Sequence, residues 1–185
     1  MRAQIYISME RMKHFDISFF GLKNGKHQFE YKIENQFFEA LEYDEYLDSD
    51  VLVNLEFIKK RTLLELNFST KGTIKIACDV SNEPYDQPIV GDLSLVVKFG
   101  EEHNDDNEEI LIIPHGEHQI NVAQFIYEMI VLAVPSKRIH PGIADGSLDS
   151  PILKKLNELQ PNEKKDGEID PRWEELKKLI TDKNT

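Results

Sequence analysis

The chain has 185 residues, of which 40% are hydrophobic and 30% are charged. A single domain of this size buries roughly 70% of the surface of its unfolded chain, so we expect a globular protein that folds without disulfides or metal. Its 34 acidic and 22 basic residues give a formal net charge of -12, which repels phosphate backbones and attracts basic proteins. The charge argues against unaided binding to DNA or RNA, although solubility alone is also a sufficient reason for it.

The sequence shows no targeting or membrane segment. Residues 1–6 contain no apolar stretch of the kind found in a signal peptide, and no segment approaches the roughly 20 apolar residues of a membrane span. The single cysteine, Cys78, excludes an internal disulfide and a multi-cysteine zinc site. These features predict a cytoplasmic protein with no membrane partner.

Alternating apolar residues predict several strands in the first half of the chain. A glycine-containing connection over residues 21–25 joins the first two, and a short helix is expected over 35–41. Three further strands have only short breaks at 60–61 and 71–72, which leaves no room for a crossover helix and therefore predicts an antiparallel meander. The apolar residues that define these strands are Phe15, Ile17, Phe19, Phe29, Tyr31, Ile33, Val51, Val53, Leu55, Phe57, Leu64, Leu66, Phe68, Ile74, Ile76 and Cys78.

Two more strands and one long helix are expected in the second half. The strands lie around residues 93–99 and 110–113, and the acidic stretch 101–109 between them is predicted to be a solvated hairpin tip. This stretch lacks the glycine and the closing glutamate of an EF-hand loop. An apolar helix is predicted over about 122–134, with Asn121 and Gln124 as a capping box.

Together these elements predict an α+β fold, in which an antiparallel strand-rich sheet or partly closed barrel is packed by one apolar helix and followed by short C-terminal helices. We expect a core domain over residues 1–141. The tail, 142–185, is expected to hold two short helices, starting near Ser150 and Asp170, on either side of a flexible linker.

No recognisable catalytic or metal site is present, so we expect a protein that is not an enzyme and needs no cofactor. His115 and His118 are three residues apart, but no further ligand pattern accompanies them, and surface histidines are the favoured interpretation. Cys78 follows the apolar side of its strand and is expected to be structural. The carboxylates near it, beginning with Asp79, are expected to raise the pKa of its thiol.

Five stretches together resemble a known family. They are FFGLKNGKHQF over residues 19–29, IACD over 76–79, LVVKFG over 95–100, IVLAVP over 130–135 and DPRWEELKKL over 170–179. Their order and spacing are similar to those of the YceD-type family of bacterial large ribosomal RNA subunit accumulation proteins, formerly catalogued as a domain of unknown function.

The resemblance implies a non-enzymatic role in biogenesis of the large ribosomal subunit. Members are often encoded beside a small ribosomal protein of that subunit, so the implied partner is a basic ribosomal protein or a pre-large-subunit particle, with rRNA contacted indirectly. Many members carry a Cys-x-x-Cys pair where this chain has Cys78 and Ser81. Cys78 and Asp79 therefore occupy a family-motif position that we expect to be structural in this chain, where Ser81 breaks the pair that a metal or redox role would need.

Other interpretations stay open at this point. Direct binding of structured rRNA would require the basic clusters at 59–61, 154–155 and 177–178 to converge. A metal-dependent nuclease using residues 101–109 with the two histidines is a distant third hypothesis. The candidate interaction residues Asp170, Arg172 and Trp173 begin the last predicted helix, for which docking on the protein's own core is weighed slightly above partner binding.

Overall fold

The structure is a computed structural model that describes residues 12–107 and 109–159. The chain divides into two compact units, residues 1–147 and 148–185. The strands of the first unit are β1 (Asp16–Ser18), β2 (Gly25–Glu34), β3 (Asp48–Lys59), β4 (Leu63–Ala77), β5 (Pro84–Gly100), β6 (Asn104–Asn107), β7 (Ile110–Pro114) and β8 (Gln119–Asn121). Its helices are α1 (Asn35–Ala40), α2 (Ala123–Ala133) and α3 (Pro141–Ala144), and α4 (Pro151–Leu159) belongs to the second unit.

Six strands form one sheet in the order β2-β3-β4-β5-β7-β6, and β1 pairs with β8 in a separate ribbon. All neighbours in the large sheet are antiparallel except β5 and β7, which run parallel. The predicted α+β class is confirmed, and the described strands do not close into a barrel, because β2 and β6 remain at the two edges of the sheet.

The predicted break at 71–72 is wrong. Residues 63–77 form one continuous strand, β4, which pairs with β3 along its length. Gly72 lies opposite Val51, and a Cβ built on Gly72 would lie 2.6 Å from the Val51 Cα and still closer to the carbonyl oxygen of Asp50. The glycine therefore permits a close approach of two strands, a use of glycine in strand interiors that resembles a turn signal in the sequence.

The pairing predicted at the acidic stretch is also wrong. The stretch does not connect two antiparallel strands, since β5 and β7 are parallel and pair Val96 with Ile110. Its residues Asn104–Asn107 form β6, which turns back antiparallel to β7 at the sheet edge. Residues 101–107 are all exposed, as expected of a solvated segment.

Strand alternation places the core on one face of the sheet. The inner-face side chains of β3 and β4 are buried, and α2, which packs mainly on β5, adds Ile126, Met129 and Ile130 to the same core. The close packing of α2 on β5 depends on Gly91, where an added Cβ would lie 3.2 Å from the Cβ of Ala133. The helix confirms the prediction for 122–134, with bounds one residue inside each end.

The capping box predicted for this helix is wrong, because the N-cap is Val122, which makes no side-chain cap hydrogen bond, and Asn121 lies one residue before it. Asn121 accepts a hydrogen bond from the backbone N–H of Ala123 at 3.0 Å, whereas Gln124 donates to Glu128 instead of turning back to Asn121. The Asn121 amide also donates to Asp16 at 2.7 Å. The same side chain thus bonds to the first residue of α2 and to Asp16 of the β1–β8 ribbon.

Helix α4, in the second unit, confirms the first of the two predicted C-terminal helices. Ile152, Leu156 and Leu159 are exposed along it. The helix predicted from Asp170, with Arg172 and Trp173, lies outside the described residues.

Candidate functional site

The family-motif position lies in a tight turn. Residues 78–83, here named the Cys78 turn, connect β4 to β5. The Cys78 backbone N–H donates to the Glu83 carbonyl at 3.0 Å, and its carbonyl accepts from Asn82, which has a positive φ of 57°. Cys78 and Ser81 are both buried. Cys78 is buried as predicted, although it lies in the turn directly after β4 and not in the strand itself.

The Cys78 sulfur accepts hydrogen bonds from its own turn and from a segment far along the chain. It accepts from the backbone N–H of Val80 at 3.4 Å and from that of His140 at 3.2 Å. Burial raises the pKa of the Cys78 thiol, but hydrogen bonds from Ser81, His140 and Val80 lower it by more, so that the pKa lies below its ordinary value. The predicted upward shift is wrong, because the sequence reveals the nearby carboxylates but not the N–H groups that converge on the sulfur.

Asp79 and Arg138 fasten the same two segments together. The Asp79 backbone N–H donates to the Arg138 carbonyl at 2.7 Å, and the Asp79 carboxylate accepts from the Arg138 backbone N–H at 2.8 Å. The Arg138 guanidinium donates to Glu45 at 3.0 Å. These contacts hold the turn against the segment around Arg138, and the sequence did not reveal Arg138 and Glu45, which lie far from the turn along the chain.

The open face of the large sheet is the first surface suited to a partner. Its side chains, on the side opposite the buried face, are here named the outer face. One row across β2, β3, β4 and β5 consists of Glu30, Asn54, Ser69 and Asp92, all exposed. The outward positions of these four strands carry more carboxylates than lysines and no aromatic ring. They therefore lack the rings on which RNA-binding sheets stack bases.

A groove of about 510 Å³ is the second such surface. It is here named the β6–β8 groove, because residues of both strands line it together with β7 and the start of α2. The lining residues used below are Asp16, Asp105, Leu111, Pro114, Glu117 and Phe125. Leu111 is buried, Pro114 and Phe125 are half-buried, and Asp105 and Glu117 are exposed. Asp105 lies in the acidic stretch identified from the sequence, whereas its proximity to Glu117 was not predictable from their spacing.

The first basic cluster, residues 59–61, is partly used inside the protein. The Lys59 ammonium donates to the backbone carbonyls of Phe19 at 2.8 Å and Leu22 at 2.9 Å. Lys60 forms an ion pair with Glu65. In the second unit, Lys154 pairs with Asp149 at 2.7 Å. The third cluster, 177–178, lies outside the described residues.

The candidate metal-binding histidines have ordinary surroundings. His115 is exposed and its ring stacks with Phe99, with 6.4 Å between ring centroids. His118 is exposed and contributes its backbone carbonyl, which accepts from Phe19 at 3.1 Å. Within residues 12–107 and 109–159, no three His, Cys, Asp or Glu side chains are grouped so that they could hold a metal ion.

These features describe an α+β protein with two exposed acidic surfaces and a tightly bonded structural turn. A model of the family described as large ribosomal RNA subunit accumulation protein YceD matches residues 66–180, which is more than half of the chain. The chain belongs to this family, and the resemblance proposed from the sequence is confirmed. The family's name links it to accumulation of large-subunit rRNA.

Neither a curated protein nor a solved structure matches the chain. The family match begins at Leu66 within β4 and includes the Cys78 turn, β5 to β8 and α2. Among the helices in the described ranges, none has the length and apolar character needed to cross a bilayer.

Proposed function

We propose that this protein is a non-enzymatic, cytoplasmic factor in accumulation of large-subunit rRNA, and that it acts by binding a basic ribosomal protein or a protein-covered pre-ribosomal particle. Family membership supports the process. The observation that supports the binding mode is the predominance of carboxylates on the exposed outer face and around the β6–β8 groove.

The charge of the protein favours a protein partner over bare RNA. A net charge of -12 creates a field that attracts cationic proteins and repels phosphates. The outer face adds no aromatic platform, and Lys59 already donates to carbonyls of its own chain. Direct contact with structured rRNA, the alternative mode, is disfavoured on the outer face, because carboxylates outnumber its lysines and Lys26 and Lys32 already form ion pairs with carboxylates of the same face.

The absence of catalysis is part of the proposal. Cys78 is the one thiol of the chain, and it is buried and serves as an acceptor for backbone N–H groups. A catalytic thiolate would need an accessible position beside a base. These surroundings favour a role in holding the turn in place.

The test is capture of partners by the full chain at two ionic strengths. Tagged protein is incubated with cell extract at about 50 mM and about 300 mM salt, and the bound proteins are identified by mass spectrometry. We expect enrichment of large-subunit ribosomal proteins at low salt and a steep loss at higher salt, because screening weakens attraction between exposed charges. A captured fraction without ribosomal proteins or assembly factors at either salt concentration would contradict the proposal.

A gel mobility shift separates the two binding modes. Purified fragments of large-subunit rRNA are titrated with the protein at about 50 mM salt, where phosphate contacts are strongest. We expect no shift with RNA alone. A shift at micromolar protein would favour direct rRNA binding and overturn the proposed mode, while leaving the role in rRNA accumulation in place.

A further inference from the structure

The β6–β8 groove combines an apolar floor with acidic side chains at its rim. Leu111 of β7 is buried in the floor, while Pro114 and Phe125 remain half-buried and accessible to a ligand. Asp105 and Glu117 stand exposed at the rim. An apolar floor beside charged groups is suited to a ligand that carries both aliphatic and charged side chains, as a protein segment does.

The charge of the rim is strongly one-sided. Among the residues that the structure describes, Lys13 is the one lysine or arginine and His103 the one histidine that line the groove, against three carboxylates, Asp16, Asp105 and Glu117. Asp16 is already held by the amide of Asn121 at 2.7 Å. Asp105 and Glu117 form no ion pair with any residue in the ranges 12–107 and 109–159.

The acidity continues beyond the rim along the sheet edge. Glu101, Glu102 and Asp106 are exposed beside Asp105 in the same segment. β6 is the last strand in the sheet order, so one side of its backbone pairs with no strand in the part of the chain that the structure describes. A free strand edge offers N–H and C=O groups to an incoming extended chain.

We propose that the β6–β8 groove binds a Lys/Arg-rich segment of a partner protein. Its cationic side chains pair with Asp105 and Glu117, and an aliphatic side chain packs on Pro114 and Phe125. The inference rests on the proposed function, because it assigns the surface that holds the basic partner. Phosphate-bearing ligands are disfavoured in the groove, since they are negatively charged and the carboxylates at the rim repel them.

Charge reversal in the full chain tests the proposal. The groove variant carries D105K and E117K, and the matched control carries E42K and D44K in the exposed loop after α1, which belongs to neither acidic surface, so that both variants change the net charge by the same amount. The probe is a fluorescent peptide of about 15 residues rich in lysine and arginine with two leucines, measured by anisotropy at about 100 mM salt. Thermal melting checks that each variant folds.

We expect the groove variant to bind the peptide about tenfold or more weakly, because two attractive ion pairs are replaced by repulsion between like charges. The control substitutions should weaken binding by less than about threefold, since salt screens the interaction between exposed charges that are more than about 10 Å apart. Equal weakening in both variants, or none in the groove variant, overturns the assignment of the site.

Partner capture with the same variants separates failure of this inference from failure of the proposed function. Capture of ribosomal proteins by the native chain and by the groove variant alike rejects the groove and leaves the proposed function standing. Peptide binding at the groove with no ribosomal protein captured by the native chain supports the site and rejects the proposed function. Loss of capture in the groove variant alone supports both.

Discussion

Replacing Gly72 with alanine should destabilise the protein by about 1–3 kcal/mol, the usual cost of overpacking. The new Cβ would lie 2.6 Å from the Cα of Val51, whereas carbon atoms in contact are separated by about 3.5–4.0 Å. Separating β3 from β4 by about 1 Å relieves this clash. Because the obstacle is backbone and β3 is also paired with β2, no side chain can simply rotate away.

Two smaller effects enter the same estimate. Alanine restricts the unfolded chain more than glycine and stabilises by about 0.4–1 kcal/mol where its native conformation is unstrained. Gly21→Ala isolates this effect, because an added Cβ at Gly21 meets nothing within 4 Å. We therefore expect the free energy of unfolding of Gly21→Ala to equal that of the native chain to within about 0.5 kcal/mol, or to exceed it slightly.

Urea unfolding followed by circular dichroism measures the difference. With a slope of about 2 kcal/mol per molar urea, a loss of 2 kcal/mol lowers the midpoint by about 1 M. An unchanged slope shows that stability, and not the compactness of either state, has changed. Equal midpoints for Gly72→Ala and Gly21→Ala would refute the close approach of β3 and β4 at this residue.

Three further predictions concern the turn and the core. Asp79→Ala should lower the free energy of unfolding in urea by about 1–2 kcal/mol, because it leaves the Arg138 N–H without its acceptor. Asp79→Asn should lower it less. Asp86→Ala, on the exposed side of β5, should leave it almost unchanged. Burial raises the pKa of Tyr31 to about 12, so the stability that its neutral form contributes should be present below about pH 10 and be lost as the pH rises toward 12; Tyr31→Phe should flatten that loss in urea titrations. Despite its lowered pKa, Cys78 should react with a thiol reagent far more slowly in the native protein than in urea, since its side chain is buried, and equal rates would show the turn to be open.

Local sequence patterns predicted the strands and helices well, but not which strands pair with one another. The alternation of apolar residues through β4 predicted that Cys78, directly after the strand, is buried, and a continuous apolar run located α2, because both signals depend on neighbours along the chain. The pairing of β1 with β8 and the parallel pairing of β5 with β7 depend on residues far apart in sequence. A glycine such as Gly72 can mark either a turn or a close contact between strands, so its role could be recognised only from the position of Val51 opposite it.

The residues of the candidate site also fall into those that local sequence predicted and those that only the packing of distant elements brings together. The family stretches located Cys78 and Asp79, and the acidic stretch located Asp105. Arg138, which bonds to Asp79, and Glu117, which shares a groove with Asp105, become neighbours only once β4, β7 and α2 are packed. The predicted pKa shift of Cys78 had the wrong direction for this reason, since the His140 N–H that donates to its sulfur follows α2 in the sequence.

The β1–β8 ribbon has a consequence for the order of folding. Strands β2 to β5 pair with their neighbours along the chain and can form while synthesis is still under way. Asp16 pairs with Asn121, so β1 must wait until about 100 further residues have emerged before its loop can close. The ribbon should therefore be a late step, and mutations in β1 should accelerate unfolding more than they slow folding.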